Sequence, residues 1–521
     1  MGVHDEIEIT FHADLDLDLA SELKRLVQDV PGMQLLADPE HFTLEATYFD
    51  TRDLRLAGAS LTLRRRVGGD DQGWHLKIPA GDDTRAETHL PLSRARKTVP
   101  AGLRRMVWTR SLGAPLAAVA QIETARTAYL LADSGGHPLL EIADDTVTAS
   151  RLRGDAAHDE PQRWREVEVE VKEGSAEMMA QVAGALRRSG LVDASGASRS
   201  KVIRALDIQP PPAPTPPSAQ SLTGHVVMAY LTEQVEQLRA LDPQVRLDRP
   251  GSIHKMRVAT RRLRSTLQTF RSAFDPAVTE PLRVELKWLA KHLGDVRDAD
   301  VQRTRLMSAE REGMEREADF DAVKHAARHL QDTYAHRHAA LLADLDSDRY
   351  RDLVAALVAV VDQPPLTKRA DRPARDVLPK AMRRSYRTVR RAVSRVEDCP
   401  AQTRGEALHR ARKSAKRARY AAEALTPVFG EPAARFAEEM EELQDVLGEH
   451  QDSVVMRGLL KAWTTSEPNA RRAFAYGRRD AQEQQCAQAA QEAFTRRWSS
   501  LHHPRHKHRL RWMRSPTEPE Q

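Results

Sequence analysis

The hydrophobic pattern of the chain changes period once, across a proline-rich segment. Before that segment apolar and polar residues alternate one by one in short runs: EIEITFHAD, LEATYFD, LTLRRRV, WHLKIP, ETHLPL, PLLEIADDTVTA and WREVEVEVKEG. Alternation of this kind, broken by Gly and Asp clusters, predicts antiparallel strands. Two stretches of helical spacing interrupt it, around Ala20 to Asp29 and Ser175 to Ser189. The divider, Gln209 to Ser218 (QPPPAPTPPS), is too rich in proline to join a packed core and reads as a stiff spacer. Beyond it the apolar period lengthens to that of an α-helix, glycine is scarce and strand signals fade. The expected fold is α+β and multidomain. An antiparallel β-barrel domain covers 1–208, a linker 209–220, an all-α bundle 221–510 and a tail 511–521.

The helical part repeats itself. Ile253 to Phe274 (IHKMRVATRRLRSTLQTFRSAF) aligns with Leu408 to Phe429 (LHRARKSAKRARYAAEALTPVF). His254 then matches His409, Lys255 matches Arg410, Arg257 matches Arg412, Arg261 matches Lys416, Arg262 matches Arg417 and Arg264 matches Arg419. At about 100° per residue, His254, Arg257, Arg261 and Arg264 fall within about 80° of one another, as do His409, Arg412, Lys416 and Arg419. Cations crowded on one helical face repel one another, and a polyanion lying along the stripe relieves that repulsion. LGDVRDADV (Leu293 to Val301) and LGEHQDSVV (Leu447 to Val455) repeat as well, setting Gly294 against Gly448 and Asp298 against Asp452. Two units, about 221–365 and 375–510, thus predict a pseudo-twofold bundle that brings both basic stripes together.

The strand region places its charges unusually. Glu6 and Glu8 share one face of the first run, Glu166, Glu168 and Glu170 one face of the last, and Arg64 and Arg66 one face of LTLRRRV. Lys77 lies within WHLKIP, Arg126 on IETARTAY and Lys201 in SRSKV. The alternate positions Ile7, Ile9, Val167, Val169 and Val171 are apolar. If the apolar face packs against outer elements, the charged face points into a hydrated lumen. A closed barrel with both signs inside could hold a divalent cation beside several phosphates.

Charge and cysteine usage narrow the setting. The net charge is only +5 in 521 residues, so the basic character is local. Cys399 and Cys486 have no metal-ligand spacing, the opening MGVHDEIEITF lacks an apolar signal core, and no run of about 18 apolar residues occurs. The expectation is a reduced, cytoplasmic protein without a membrane partner. Nucleic acid is disfavoured because no aromatic residues interleave the basic stripes.

Residues 1–208 resemble the CYTH superfamily of triphosphate tunnel enzymes. The resemblance rests on EIEIT (for the family's E-x-E-x-K), YFDT at Tyr48 to Thr51, LTLRRR, LKIP, RAE at Arg85 to Glu87, EIADD, EVEVE and SRSK. Residues from about 221 to 510 resemble the CHAD domain, a helical module whose two basic helices bind inorganic polyphosphate. The resemblance implies Mg²⁺ or Mn²⁺ as cofactor, held by Glu6, Glu8, Glu168 and Glu170, with Glu166 and Asp144 as further ligands. It implies that Arg64, Arg66, Lys77, Arg126 and Lys201 bind the triphosphate, and that Glu6, Glu8, Lys77, Arg64 and Arg66 form the catalytic set. In the helical module it implies a polyphosphate groove lined by His254, Lys255, Arg257, Arg261, Arg262, Arg264, His409, Arg410, Arg412, Lys413, Lys416, Arg417 and Arg419.

One position departs from the family pattern: Thr10 stands where E-x-E-x-K has Lys. A hydroxyl lacks the positive charge that Lys gives a phosphate site. Two functional expectations follow. One is a metal-dependent hydrolase of inorganic or related triphosphate, tethered to polyphosphate. The other is a non-catalytic phosphate receptor directed to polyphosphate granules.

Overall fold

The computed structural model describes residues 2–30, 32–36, 38–79, 84–92, 98–152, 160–194, 200–208, 214–308, 317–501 and 510–513. Residues 209–213 of the expected linker, 198 and 199 of the SRSK run and 514–521 of the tail lie outside the described residues. The chain divides into two compact units, Met1–Ala213 and Pro214–Gln521.

The first unit is built on ten strands among the described residues. They are β1 (Gly2–Ala13), β2 (Gln34–Leu35), β3 (Glu40–Asp50), β4 (Thr62–Val67), β5 (Gly73–Pro79), β6 (Thr84–Leu90), β7 (Ala117–Ala132), β8 (Pro138–Arg151), β9 (Gln162–Val171) and β10 (Val192–Asp193). Eight pair in the order β1-β6-β5-β4-β3-β7-β8-β9, and β9 returns to β1, closing an antiparallel barrel. Helices α1 (Leu19–Asp29), α2 (Ala101–Met106), α3 (Trp108–Ser111), α4 (Ala176–Arg188) and α5 (Lys201–Leu206) accompany it. Asp18 accepts from the Ser21 amide to start α1, and Ser175 accepts from the Met178 amide to start α4.

The main core of this unit lies outside the barrel wall. Leu19, Leu23 and Leu26 of α1 and Val182 and Leu186 of α4 pack with Phe11, Leu140, Ile142, Val167 and Val169. Each such side chain contributes roughly 1.5–3 kcal/mol by leaving water. Because the helices cover the apolar face, strand alternation turns every second residue of β1, β8 and β9 inward. The polar face therefore lines the lumen.

The second unit contains nine α-helices among the described residues. They are α6 (Thr223–Arg246), α7 (Ser252–Thr269), α8 (Pro276–Ser308), α9 (Glu317–Leu345), α10 (Asp348–Asp362), α11 (Ala374–Asp398), α12 (Ala401–Phe429), α13 (Glu431–Ser466) and α14 (Ala470–Leu501). Successive helices pack α6-α7-α8-α9 and again α11-α12-α13-α14, and α7 packs on α12. Ile253, Met256, Ala259, Leu263 and Leu267 form the buried stripe of α7, and Leu408, Ala411, Ala415, Ala418 and Ala422 that of α12. Both stripes follow helical spacing, and the small alanines keep the apolar face of α12 low.

Candidate active site and polyanion groove

Strand register decides what enters the barrel. Glu8 lies opposite Glu170 and Thr10 opposite Glu168 across β1 and β9; Arg126 lies opposite Asp145 across β7 and β8. Arg64 and Arg66 of β4, Lys77 of β5 and Arg85 of β6 complete the wall of a cavity of about 480 Å³. Glu6, Glu8, Arg126, Glu168, Glu170 and Lys201 also line it.

Two ion clusters occupy this lumen. In the first, Lys77 Nζ lies 2.5 Å from Glu6, 3.8 Å from Glu8 and 3.9 Å from Glu87. Burial opposes the Lys77 charge, but Glu8, Glu87 and Glu6 outweigh it and raise its pKa. Burial and a hydrogen bond shared with Glu87 push the Glu6 carboxyl up to about 8, against the pull of Lys77. Glu87 moves the other way: burial favours its neutral form, but Lys77 and a 2.5 Å contact with His75 Nδ1 hold it low.

In the second cluster Lys201 Nζ lies 2.5 Å from Glu166, 2.5 Å from Glu168 and 3.0 Å from Asp145. Arg126 donates to Asp145 at 2.7 and 2.6 Å and to Glu168 at 2.6 Å. Between the clusters stand the arginines of β4. Burial, then Arg64 and Arg126, depress the Arg66 guanidinium to about 9, and Asp71 pairs with it. A cation held down by burial and by its like-charged neighbours gains from an incoming phosphate.

The acidic side offers hard oxygen donors suited to Mg²⁺ or Mn²⁺. Asp145, Glu166 and Glu168 bring one carboxylate oxygen each within 4.8 Å of one another. Glu6 and Glu8 face the same lumen. The donor set fits such an ion.

Two expected ligands are placed differently from the rest. Asp144 sits on the outer face of β8, where Arg165 grips it at 2.8 Å through both oxygens while binding the carbonyls of Asp14, Leu15 and Leu17. It anchors the approach to α1, and its neighbour Asp145 is the one on the inner face, fully buried against Arg126 and Lys201. Glu166 is buried beneath the cavity and accepts from Trp164 Nε1 at 2.7 Å as well as meeting Lys201. Arg85 and Glu87 of the RAE motif, Asp145 of EIADD and His75 have no role in the sequence reading. The alternation in TRAETHL was the signal available for Arg85 and Glu87.

In the helical unit a groove of about 1240 Å³ receives His254, Arg257, Arg261 and Arg264 from α7 and His409, Arg412, Lys413, Lys416, Arg417 and Arg419 from α12. Lys287, Lys291 and Arg297 of α8 join them, unforeseen. Burial, followed by Arg261, Arg412 and Arg257, lowers the Lys416 ammonium to about 6. Burial also lowers Arg261, Arg264, Arg412 and Arg417, with neighbouring cations adding to it. His254 and His409 are lowered by burial, then by Arg297 at the first and Lys413 at the second.

Three expected groove residues lie elsewhere. Lys255 and Arg410 are exposed and absent from its lining, and Arg410 pairs with Glu406 at 2.9 Å. Arg262 turns toward Glu423 at 2.9 Å and the Tyr420 ring. Each is a helical step away from the basic stripe.

Comparison with known proteins agrees with this architecture. The CYTH domain profile matches residues 19–200 and the CHAD domain profile residues 229–461. An uncharacterized protein of Mycobacterium tuberculosis, found in two strains, is 34% identical over 465 residues, covering 86% of this chain and 88% of its own. The chain belongs to the CYTH–CHAD family. Among solved structures, PptA from Streptomyces chartreusis aligns with 54% of this chain and 100% of its own at 21% identity and a TM-score of 0.47. The CHAD domain of the plant Ricinus communis covers 59% of this chain and 99% of its own, at 24% identity and a TM-score of 0.40. Among the described residues of this CYTH–CHAD protein, no helix is long and apolar enough to cross a membrane.

Proposed function

We propose that the barrel hydrolyses inorganic triphosphate, or a related triphosphate, with Mg²⁺ or Mn²⁺, and that the helical groove binds inorganic polyphosphate. The supporting observation is the convergence of Glu6, Glu8, Glu168 and Glu170 with Arg64, Arg66, Lys77, Arg126 and Lys201 on one enclosed lumen. Arg64, Arg66 and Arg126 take phosphoryl oxygens, to which guanidinium geometry is suited. Lys77 and Lys201, now paired with carboxylates, would bind phosphate where those carboxylates hold a divalent cation. Glu166, which also accepts from Trp164, keeps Lys201 aimed at the lumen. A metal held by these carboxylates would offset the negative charge of the phosphoanhydride and lower the pKa of the attacking water.

The test is phosphate release from inorganic tripolyphosphate with Mg²⁺ or Mn²⁺, for the intact chain and for Glu6→Ala/Glu8→Ala. Turnover that disappears in the double variant supports the reading, and no turnover by the intact chain refutes it.

A second reading, a phosphate receptor without turnover, draws on Thr10. It is buried in β1 opposite Glu168, where a lysine would add charge. This version predicts tripolyphosphate binding without release, and association of the chain with polyphosphate granules in the cytoplasm through residues 221–521.

A further inference from the structure

The repeated segments LGDVRDADV and LGEHQDSVV carry a feature that phosphate binding by the basic stripes leaves unexplained. Each places a glycine in the middle of a long helix, Gly294 in α8 and Gly448 in α13, and a carboxylate four residues on, Asp298 and Asp452. Glycine is a poor residue for a helix interior, and a carboxylate is unwelcome in a groove for anions. Both occur at matched positions in both repeats.

The geometry accounts for the glycines. A Cβ on Gly294 would stand 3.4 Å from Cζ and Nη2 of Arg257, and one on Gly448 would stand 3.1 Å from Nη2 of Arg412. Each guanidinium therefore lies against helix backbone that has no side chain there. A residue four positions along shares the helical face one turn away, which puts each aspartate on the same helical face as its glycine. Arg257 Nη1 donates to Asp298 Oδ1 at 3.0 Å. Asp452 is the foremost counter-charge acting on Arg412, followed by Asp298 from the other repeat. The Nε–H of each arginine is buried with no hydrogen-bond acceptor among the described residues.

We infer that Gly294 with Asp298, and Gly448 with Asp452, are positioning residues that seat Arg257 and Arg412 for phosphate. This rests on the reading of the groove as a polyphosphate site. The glycine makes the seat; Asp298 holds one edge of the Arg257 guanidinium by a hydrogen bond, and Asp452 acts on Arg412 through its charge. The arginine is thereby ordered before ligand arrives, which reduces the entropy lost on binding.

Simple electrostatics makes the opposite prediction, because removing carboxylates from an anion site should tighten it. The test is calorimetric titration of the full chain with long-chain inorganic polyphosphate at several salt concentrations. Asp298→Ala/Asp452→Ala should weaken binding about tenfold despite the added positive charge, corresponding to the loss of about one charge-assisted hydrogen bond. Asp298→Asn/Asp452→Asn, which keeps an acceptor oxygen, should restore most of that loss. Gly448→Ala should weaken binding more than Gly294→Ala, since its Cβ meets the tighter contact, and the thermal midpoint should hold or rise because alanine favours the helix. Gly294→Leu/Gly448→Leu should also lower the dependence of affinity on salt, as two phosphate contacts disappear.

Tighter binding by both aspartate variants, or glycine variants with unchanged affinity and salt dependence, would overturn the inference. Failure of the unaltered chain to bind polyphosphate would instead bring down the groove reading and take the inference with it.

Discussion

The tunnel and the groove are both rich in cations, yet they treat charge in opposite ways. In the tunnel Lys77, Lys201 and Arg126 are paired with carboxylates, and the opposing charges raise all three pKa values despite burial. In the groove Lys416, Arg261 and Arg412 crowd one another, and burial and mutual repulsion lower all three. A balanced site gives little net attraction to an anion until a metal claims its carboxylates. An unbalanced one attracts anions at once. The first arrangement suits chemistry on a short, metal-bound substrate, and the second suits retention of a long polyanion.

The sharpest way to break this contrast is Glu6→Ala/Glu8→Ala. Removing both carboxylates should lower metal-dependent phosphate release by about three orders of magnitude or more, judged against losses of 10²–10³ for one transition-state contact. Polyphosphate binding by the groove should not change. Arg261→Glu/Lys416→Glu is the converse. Placing like charge against phosphate costs several kcal/mol, so polyphosphate affinity should fall about 100-fold or more while turnover is retained. Loss of both properties in either variant would mean that the two sites do not act separately.

Proton linkage sharpens the comparison. Lys416 has an ordinary value of 10.5 and is lowered to about 6 in the folded groove. Between those values the unfolded chain binds more protons, so this group lets stability rise with pH through that window and removes stability as pH falls toward 6. A bound polyanion favours the charged ammonium. Binding should therefore take up a proton within the same window and weaken as pH rises. Calorimetry in two buffers of different ionisation enthalpy would read the uptake, and Lys416→Met should reduce it. The smallest expected effect is Thr10→Lys, which adds a cation to a lumen where Lys201 and Arg126 already hold Glu168. A several-fold gain in tripolyphosphate affinity would show that the tunnel lacks positive charge.

Much of this was legible in the residue pattern, and the misses have specific causes. Alternation in EIEIT and EVEVE announced a charged inner face, and the paired basic helices announced the groove. Asp144 and Asp145 are adjacent, so alternation puts them on opposite faces without saying which one turns inward. Only the pairing of Arg126 with Asp145 across β7 and β8 decides it. Lys255, Arg262 and Arg410 were drawn in by aligning the repeats, although none belonged to the angular stripes. Arg417 and Lys413 enter the groove although they too stand off the stripe, so neither helical angle nor alignment alone picks out its lining. Lys287, Lys291 and Arg297 come from α8, outside the aligned basic segments, and required the packing of helices to be seen.

Closure of the barrel by β1 against β9 also bears on how the protein comes into being. The strand carrying Glu6 and Glu8 leaves the ribosome well before its partner strand β9, and Lys201 emerges later still. Contacts so distant in sequence form slowly. Strand β1 must therefore wait with its apolar outer face uncovered, and the charged lumen is among the last parts of its domain to assemble.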